Sequence, residues 1–289
     1  RKIVNDLKAA KDLLAKCDTI KENKHWMSTE NRMLAVNSGT SGELAKDVFF
    51  AYRGYRMNYY AVTAMLARVY CWAGEYGNAY KEAKEVVDAT YSTGSTSTAS
   101  CFNFSNSLTT NRKDYNSIIM TFFKSTCYED YLPYMTKGND VVLVVNTTNL
   151  FGDEAGADDR NLDLFGDWDG GDIKYSFKYD IKEGTSGTDM IPAIRLSEMY
   201  YIMGEYFAYK DEFSKAGEML DKVRYARGIS TTNLASSIGS LEVFHTHLIK
   251  EMRREFVGEG QMFFQYKRLD QKPKDNVVFV FDKPNNEDI

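Results

Sequence analysis

Apolar residues recur along this chain with two different periods, and the changes of period divide it. Ile3, Leu7, Ala10 and Leu14 fall on one helical stripe, so residues 1–17 are expected to form an amphipathic helix. Residues 18–43 hold no sustained period and end in the Ser38-Gly39-Thr40-Ser41-Gly42 break, which reads as loop. Helical period returns over residues 55–72, with Ala61, Met65, Val69 and Trp72 on one stripe. It continues to about residue 89 after a turn made by Gly74 and Gly77. Residues 90–99 are rich in Ser, Thr and Gly and mark a boundary. Beyond it, residues 117–123 and 141–145 are short β-rich runs. Ile173, Tyr175, Phe177, Tyr179 and Ile181 alternate with Lys174, Ser176, Lys178 and Asp180, the pattern of a strand with one buried face. Helical period resumes with Pro192, expected as the first residue of a helix, and runs to about residue 226, where Gly228 suits a C-terminal cap. A further helix is expected over residues 241–256, then a short strand at 277–281 and a polar end.

Two of these helical stretches repeat each other at an offset of 137 residues. Ala67, Tyr70, Tyr76, Ala79 and Val86 match Gly204, Phe207, Phe213, Ala216 and Val223. Small, aromatic, then small again at these intervals is the skeleton of a tetratricopeptide helix pair. The small residues let two antiparallel helices approach, and the rings fill the space beside them. The expected fold is therefore mainly α: tetratricopeptide-like pairs with an irregular, strand-containing insertion. Residues 1–92 carry the first pair, 93–190 the insertion and candidate ligand region, and 191–289 the second pair, a C-terminal helix and the tail strand, all within one domain.

Composition narrows the function. A net charge of −5 offers no basic field for nucleic acid. No run of 18 apolar residues would span a bilayer. Cys17, Cys71, Cys101 and Cys127 lack CxxC spacing; the first two sit in helical patterns as small core residues, and a Cys101–Cys127 disulfide is open in an oxidising compartment. The chain opens within a helical pattern, with neither an initiator Met nor a signal peptide, so upstream sequence is expected.

The second repeat is more specific than a generic tetratricopeptide. Ile194-Arg195-Leu196-Ser197-Glu198-Met199-Tyr200, Gly204-Glu205 and Leu220-Asp221-Lys222-Val223-Arg224-Tyr225-Ala226-Arg227-Gly228 resemble the SusD/RagB family of Bacteroidetes surface glycan-binding lipoproteins. Glu251, Arg253-Arg254-Glu255, Glu259-Gly260 and Arg268 fall where that family has its Glu/Arg-rich helix. Asp159-Arg160, Lys178-Tyr179 and the Phe281–Glu287 tail match further landmarks in order. Met262 and Gln265 depart from it, replacing an Arg and an Asp together, and the N-terminal part usual in the family is missing. The resemblance implies a SusD-like α-α superhelix that binds a glycan without catalysis and delivers it to a SusC-like TonB-dependent transporter. It also implies an outer-membrane, cell-surface location, with membrane attachment only through a lipid anchor outside this chain.

Candidate chemistry is sparse. Arg195, Glu198 and Glu205 are expected on one helix face, and with Glu251, Arg254, Glu255 and Glu259 they read as an Arg–Glu lattice between helices. No pair of carboxylates stands out as the acid and nucleophile of a glycoside hydrolase. His245 and His247 point in different directions on a helix, and no transition-metal site is expected. Asp167, Asp169 and Asp172, in a loop with Gly166, Gly170 and Gly171, are a weak calcium candidate; otherwise no cofactor is expected. Sugar rings stack their apolar C–H faces on aromatic planes. The stacking candidates are Trp168, flanked by aspartates, and Tyr128, Tyr131 and Tyr134 in a polar stretch; Asn139, Asp140 and Arg160 are the polar candidates. Tyr175 belongs to the strand stripe and is expected in the core. The alternative is a tetratricopeptide scaffold that binds only protein along its concave helix faces.

Overall fold

The computed structural model describes residues 1–34, 49, 50, 52–136, 139, 141–168, 170–180, 189–269, 279 and 280. Helix α1 (Lys2–Asp18) packs against the first pair, α2 (Tyr59–Trp72) and α3 (Tyr76–Val87). A hairpin of β1 (Thr90–Ser92) and β2 (Thr98–Ser100) follows, then β3 (Ile118–Phe123) and α4 (Cys127–Met135). The insertion continues with β4 (Val144–Asn146), α5 (Thr147–Phe151), α6 (Asp159–Leu164), β5 (Phe165–Asp167) and β6 (Ile173–Ser176). Next come β7 (Met190–Arg195), the second pair α7 (Leu196–Ala208) and α8 (Phe213–Ala226), then α9 (Leu241–Glu255), α10 (Met262–Arg268) and β8 (Phe279–Val280). β3 pairs antiparallel with β7, and a second antiparallel sheet runs β5-β6-β4-β8.

The repeat does what its residues dictate. Ala67, Ala79, Val86, Ala216 and Val223 are fully buried. A Cβ on Gly204 would lie 3.2 Å from Phe244 Cζ, so the small residue is what lets α9 close on α7. Each pair turns through a left-handed residue, Gly74 (φ 73°) and Asp211 (φ 59°), again 137 apart. The next amide then donates back to the aromatic position of the first helix, Glu75 N to Tyr70 O and Glu212 N to Phe207 O, both at 2.9 Å. The pairs meet through α3 and α7. There Tyr76 stacks on Tyr209 (centroids 3.9 Å) and Tyr80 on Tyr206 (4.4 Å), so the insertion is extruded from a continuous helical stack.

Four expectations change. Pro192 does not start a helix: it sits in β7 opposite Thr121, and the two-stranded sheet leaves β7 an unpaired edge where a residue without N–H is tolerated. The alternating run stops at Ser176, after which Lys178 and Tyr179 are both buried; Ile181 lies outside the described residues. The stripe on α2 is not uniformly core. Ala61 is buried, Met65 and Val69 are half-buried, and Trp72 is 43% exposed, because the helix packs mainly through Tyr60, Ala64, Ala67 and Tyr70. All four cysteines are free, Cys101 in the first repeat's core and Cys127 beside Tyr179, so the open Cys101–Cys127 disulfide does not form. Elsewhere residues 24–27 and 30–34 form short helical turns in the expected loop, whose Ser38–Gly42 break falls outside the described residues. Of the expected tail strand, Phe279 and Val280 pair with β4. No described helix is long and apolar enough to cross a membrane.

Gly228 closes α8 as expected, and for two reasons. Its φ of 84° permits Ile229 N to donate to Arg224 O (3.0 Å), and an added Cβ would meet Ala157 O at 2.6 Å. Gly228→Ala should therefore cost more than about 1 kcal/mol in urea denaturation. Gly239→Ala, where a Cβ meets nothing within 4 Å, should be near neutral. Equal effects would show that the α8 terminus is not the constraint.

Candidate functional site

The insertion is joined to the second repeat by buried charge. Arg160 Nη2 donates to Asp158 (2.7 Å) and Glu251 (3.0 Å), and its Nη1 to Glu255 (3.2 Å). Arg227 bridges Glu255 (2.6 Å) and Asp114 (2.8 Å). Arg254 takes Glu154 (2.6 Å) and Glu251 (3.0 Å) and donates to the carbonyls of Leu150 and Phe151 at the end of α5. Lys178 reaches Glu259 (2.5 Å), which also receives Arg195. Burial alone would pull the Arg160 guanidinium down, but Asp158 and Glu251 hold it well above its usual range. Glu255 is likewise kept far below the ordinary carboxylate range, because Arg227 and Arg160 outweigh its desolvation.

This lattice corrects one site assignment: Arg160 is 2% exposed and fully engaged, so it holds α6 to α9 and does not meet ligand. The Arg–Glu lattice expected between helices is present, although Arg195, expected on one helix face with Glu198 and Glu205, lies outside α7. Arg195 ends β7 and binds Glu259, whereas Glu198 pairs with Arg68 (2.6 Å) and Glu205 with Arg268 (2.6 Å). Each of these carboxylates is committed to a cation on another element.

The tyrosines of α4 sit on the outer side of this frame. Residues 128, 131 and 134 are three apart, so each step drifts by about 60° around the helix. The stripe accordingly leaves the core: Tyr128 and Tyr131 are half-buried, while Tyr134 is 49% exposed. Tyr131 stacks on Tyr179 (4.1 Å, 7°), whose hydroxyl donates to Gly258 O. Pro133 lies inside α4, and the residues after the helix satisfy its last carbonyls. Thr136 Oγ1 donates to Leu132 O, Asn139 Nδ2 to Pro133 O and Leu143 N to Tyr134 O. Tyr134 and the exposed Asn139 are thereby fixed together. Asp140 lies outside the described residues.

Trp168 occupies the turn from β5 to β6 and is half-buried, its backbone N–H donating to Ile173 O. Asp167 accepts from Gly170 N (3.0 Å) and Asp172 from Thr148 Oγ1 (2.7 Å), so both carboxylates help build the turn and its junction with α5. Asp169 lies outside the described residues, and among those described no three His, Cys, Asp or Glu converge as a metal site. Tyr175, expected in the core, is half-buried across Gly166, where a Cβ would meet its ring at 2.6 Å. Tyr134 is tied to Leu143 just before β4, whereas Trp168 follows β5, on the far side of β6 from β4.

The sequence reading passed over a second feature. Trp72, Phe122 and Phe264, from three distant segments, rim an apolar groove. The signal was present in the doublets Phe122-Phe123 and Phe263-Phe264, whose adjacent side chains cannot both face one core.

A sequence model of the SusD family matches residues 52–279. No curated protein matches. Among solved structures, a SusD superfamily protein from Bacteroides thetaiotaomicron is 23% identical, with a TM-score of 0.56 over 75% of this chain and 51% of that one. A putative sugar binding protein from Bacteroides vulgatus is 21% identical, with a TM-score of 0.57 over 89% and 55%. A SusD-like carbohydrate binding protein from the same species is 19% identical, with a TM-score of 0.51 over 81% and 48%. The chain thus spans about half the length of the solved chains it matches, and these likenesses carry the fold.

The charge lattice makes acid lability a direct expectation. Desolvation raises the Glu154 carboxyl, but Arg254 and then Arg224 outweigh it and hold it at about 2. Its folded-state value is below its unfolded one near 4.5, so its contribution is complete above about pH 4.5 and is lost as pH falls towards 2. Urea midpoints should therefore decline steeply across that window, and Glu154→Gln should flatten part of the decline. Arg160→Met should cost about 3–5 kcal/mol by leaving buried carboxylates unmatched. An unchanged urea midpoint in that variant would remove Arg160 from the frame.

Proposed function

The chain belongs to the SusD family, and from that membership we propose that it binds an oligosaccharide or polysaccharide at the cell surface. Binding is non-covalent; no bond is made or broken, and no cofactor or metal takes part. The bound glycan is handed to a SusC-like TonB-dependent outer-membrane transporter, and the protein is held at the outer membrane by a lipid anchor. The observation that carries this reading is the set of aromatic side chains on the turns of the insertion, with Tyr134 exposed and Trp168 half-buried. Tyr134 and Asn139 on the α4 turn and Trp168 on the β5–β6 turn are set on backbones fixed by hydrogen bonds. Prepositioned rings lose little conformational entropy when a sugar stacks on them. Tyr131 and Tyr128, both half-buried, are further stacking candidates beside them. Two of the solved structures that share the fold are described as carbohydrate or sugar binding proteins, in agreement with this assignment.

The test is an affinity-gel or array screen of plant, host and microbial polysaccharides. A retained polysaccharide is expected. Trp168→Ala and Tyr134→Ala should each weaken its binding by about 1–3 kcal/mol, as central aromatic anchors do. Binding that neither variant changes would move the site elsewhere on the molecule. Failure to retain any polysaccharide would favour the scaffold reading, in which the repeats bind only protein.

A further inference from the structure

Three successive charges are buried just before β3. Arg112, Lys113 and Asp114 are 7%, 2% and 2% exposed. The turn that carries them is closed locally. Asp114 N donates to Asn111 O (2.8 Å), Asp114 takes a left-handed φ of 49°, and Ser117 Oγ donates to Asp114 O (2.9 Å). The three side chains meet the charge lattice. With Arg160, Lys178, Arg195, Arg227, Arg254 and Glu255 they line an interior cavity of about 10 Å³, and no residue of its wall is more than 7% exposed. A space of that size admits one water-sized particle and no carboxylate, phosphate or sugar.

The wall is dominated by one sign. Seven of its residues are cations, and two, Asp114 and Glu255, are carboxylates. The other carboxylates that pair these cations, Asp158, Glu154, Glu251, Glu259 and Asp180, are not part of it. Burial pushes the Lys113 ammonium down to about 8, and Arg195 and Lys178 add to the fall although Cys127 and Asp189 oppose it.

Two of the cations also keep donors to spare. Arg227 gives its Nε to Glu255 and its Nη2 to Glu255 and Asp114, whereas its Nη1 finds no acceptor among the described residues. Arg112 gives its Nη1 to Phe177 O and Asp180, whereas its Nε finds none. An unmatched N–H on a buried guanidinium is costly, so an acceptor is favoured there. A water would accept, but it brings two hydrogens to a wall whose four carboxylate oxygens already take Ser105 N, Arg160 and Arg227. A monatomic anion accepts without donating, and the surrounding cations repay its desolvation.

We propose that this cavity is a binding site for a monatomic anion, chloride in ordinary media, held by Arg227 and Arg112. It ties the 112–114 turn to the end of α8, and it is separate from the Trp168 and Tyr134 turns.

The test follows the urea midpoint of the protein as sodium chloride replaces sodium gluconate at constant ionic strength. An anion that binds only the folded chain stabilises it with saturation. The midpoint should therefore rise with chloride to a plateau, and gluconate, too large for the cavity, should not raise it. Arg112→Lys keeps the charge but removes Nε, and should raise the half-saturating chloride concentration about tenfold. Crystals grown in bromide should show an anomalous peak within hydrogen-bonding distance of Arg227 Nη1, a reading that needs no variant to fold. A midpoint indifferent to the anion, or one that changes linearly as non-specific salt effects do, would overturn the proposal. So would a cavity occupied in bromide by water, with no anomalous signal.

Discussion

A guanidinium taken out of water must be met by carboxylates, and in this protein that requirement joins elements far apart in the chain. Arg160 lies 91 residues from Glu251 and 95 from Glu255, yet both reach it. Helix α9 makes this possible because it has two different faces. Phe244, Leu248 and Met252 recur every four residues and enter the core of the second repeat. Glu251, Arg254 and Glu255 face the insertion and carry its α5, α6 and following turns. One helix therefore couples an ordinary apolar core to a charged one. Paired buried charge adds little net stability over apolar packing, but an unmatched partner is costly, so the arrangement specifies one seating of the insertion.

That seating explains why an insertion with so little regular structure can hold its exposed rings in place. Among the described residues the strands are two to six residues long, and the largest sheet has four strands. Order comes instead from many local satisfactions: side chains capping α4's last carbonyls, Asp172 tying the Trp168 turn to α5, and Tyr175 lying over Gly166. The rings left outward are those whose neighbours are committed inward. Tyr134 is 49% exposed while Tyr131 is stacked on Tyr179, and the two charged residues that line the groove, Arg68 and Glu259, are engaged by partners of their own.

How much of this was legible in the sequence depended on the range of the interactions. The repeats were, because small and aromatic residues at fixed spacing act within one helix pair. Gly228 was, because a cap is local. Pro192 was not, since the first turn of a helix and an unpaired strand edge tolerate a missing N–H equally, and only the pairing with β3 decides between them. Arg160 read as an available cation because none of its distant carboxylates is visible from its neighbourhood. Trp72 read as core because its spacing is right for a stripe, whereas the face it lies on opens to a groove. The family resemblance supplied the fold, but the exposed rings had to be found from burial.

The most direct measurement is hydrogen–deuterium exchange on a variant that unpairs the lattice, Arg227→Met. This arginine joins Asp114 in the insertion to Glu255 on α9. If buried charge seats the insertion, exchange should rise together in α9 and in residues 159–176, while α2 and α3 keep their wild-type protection. Faster exchange confined to α8 around the substitution, with α6 and the Trp168 turn unchanged, would contradict it.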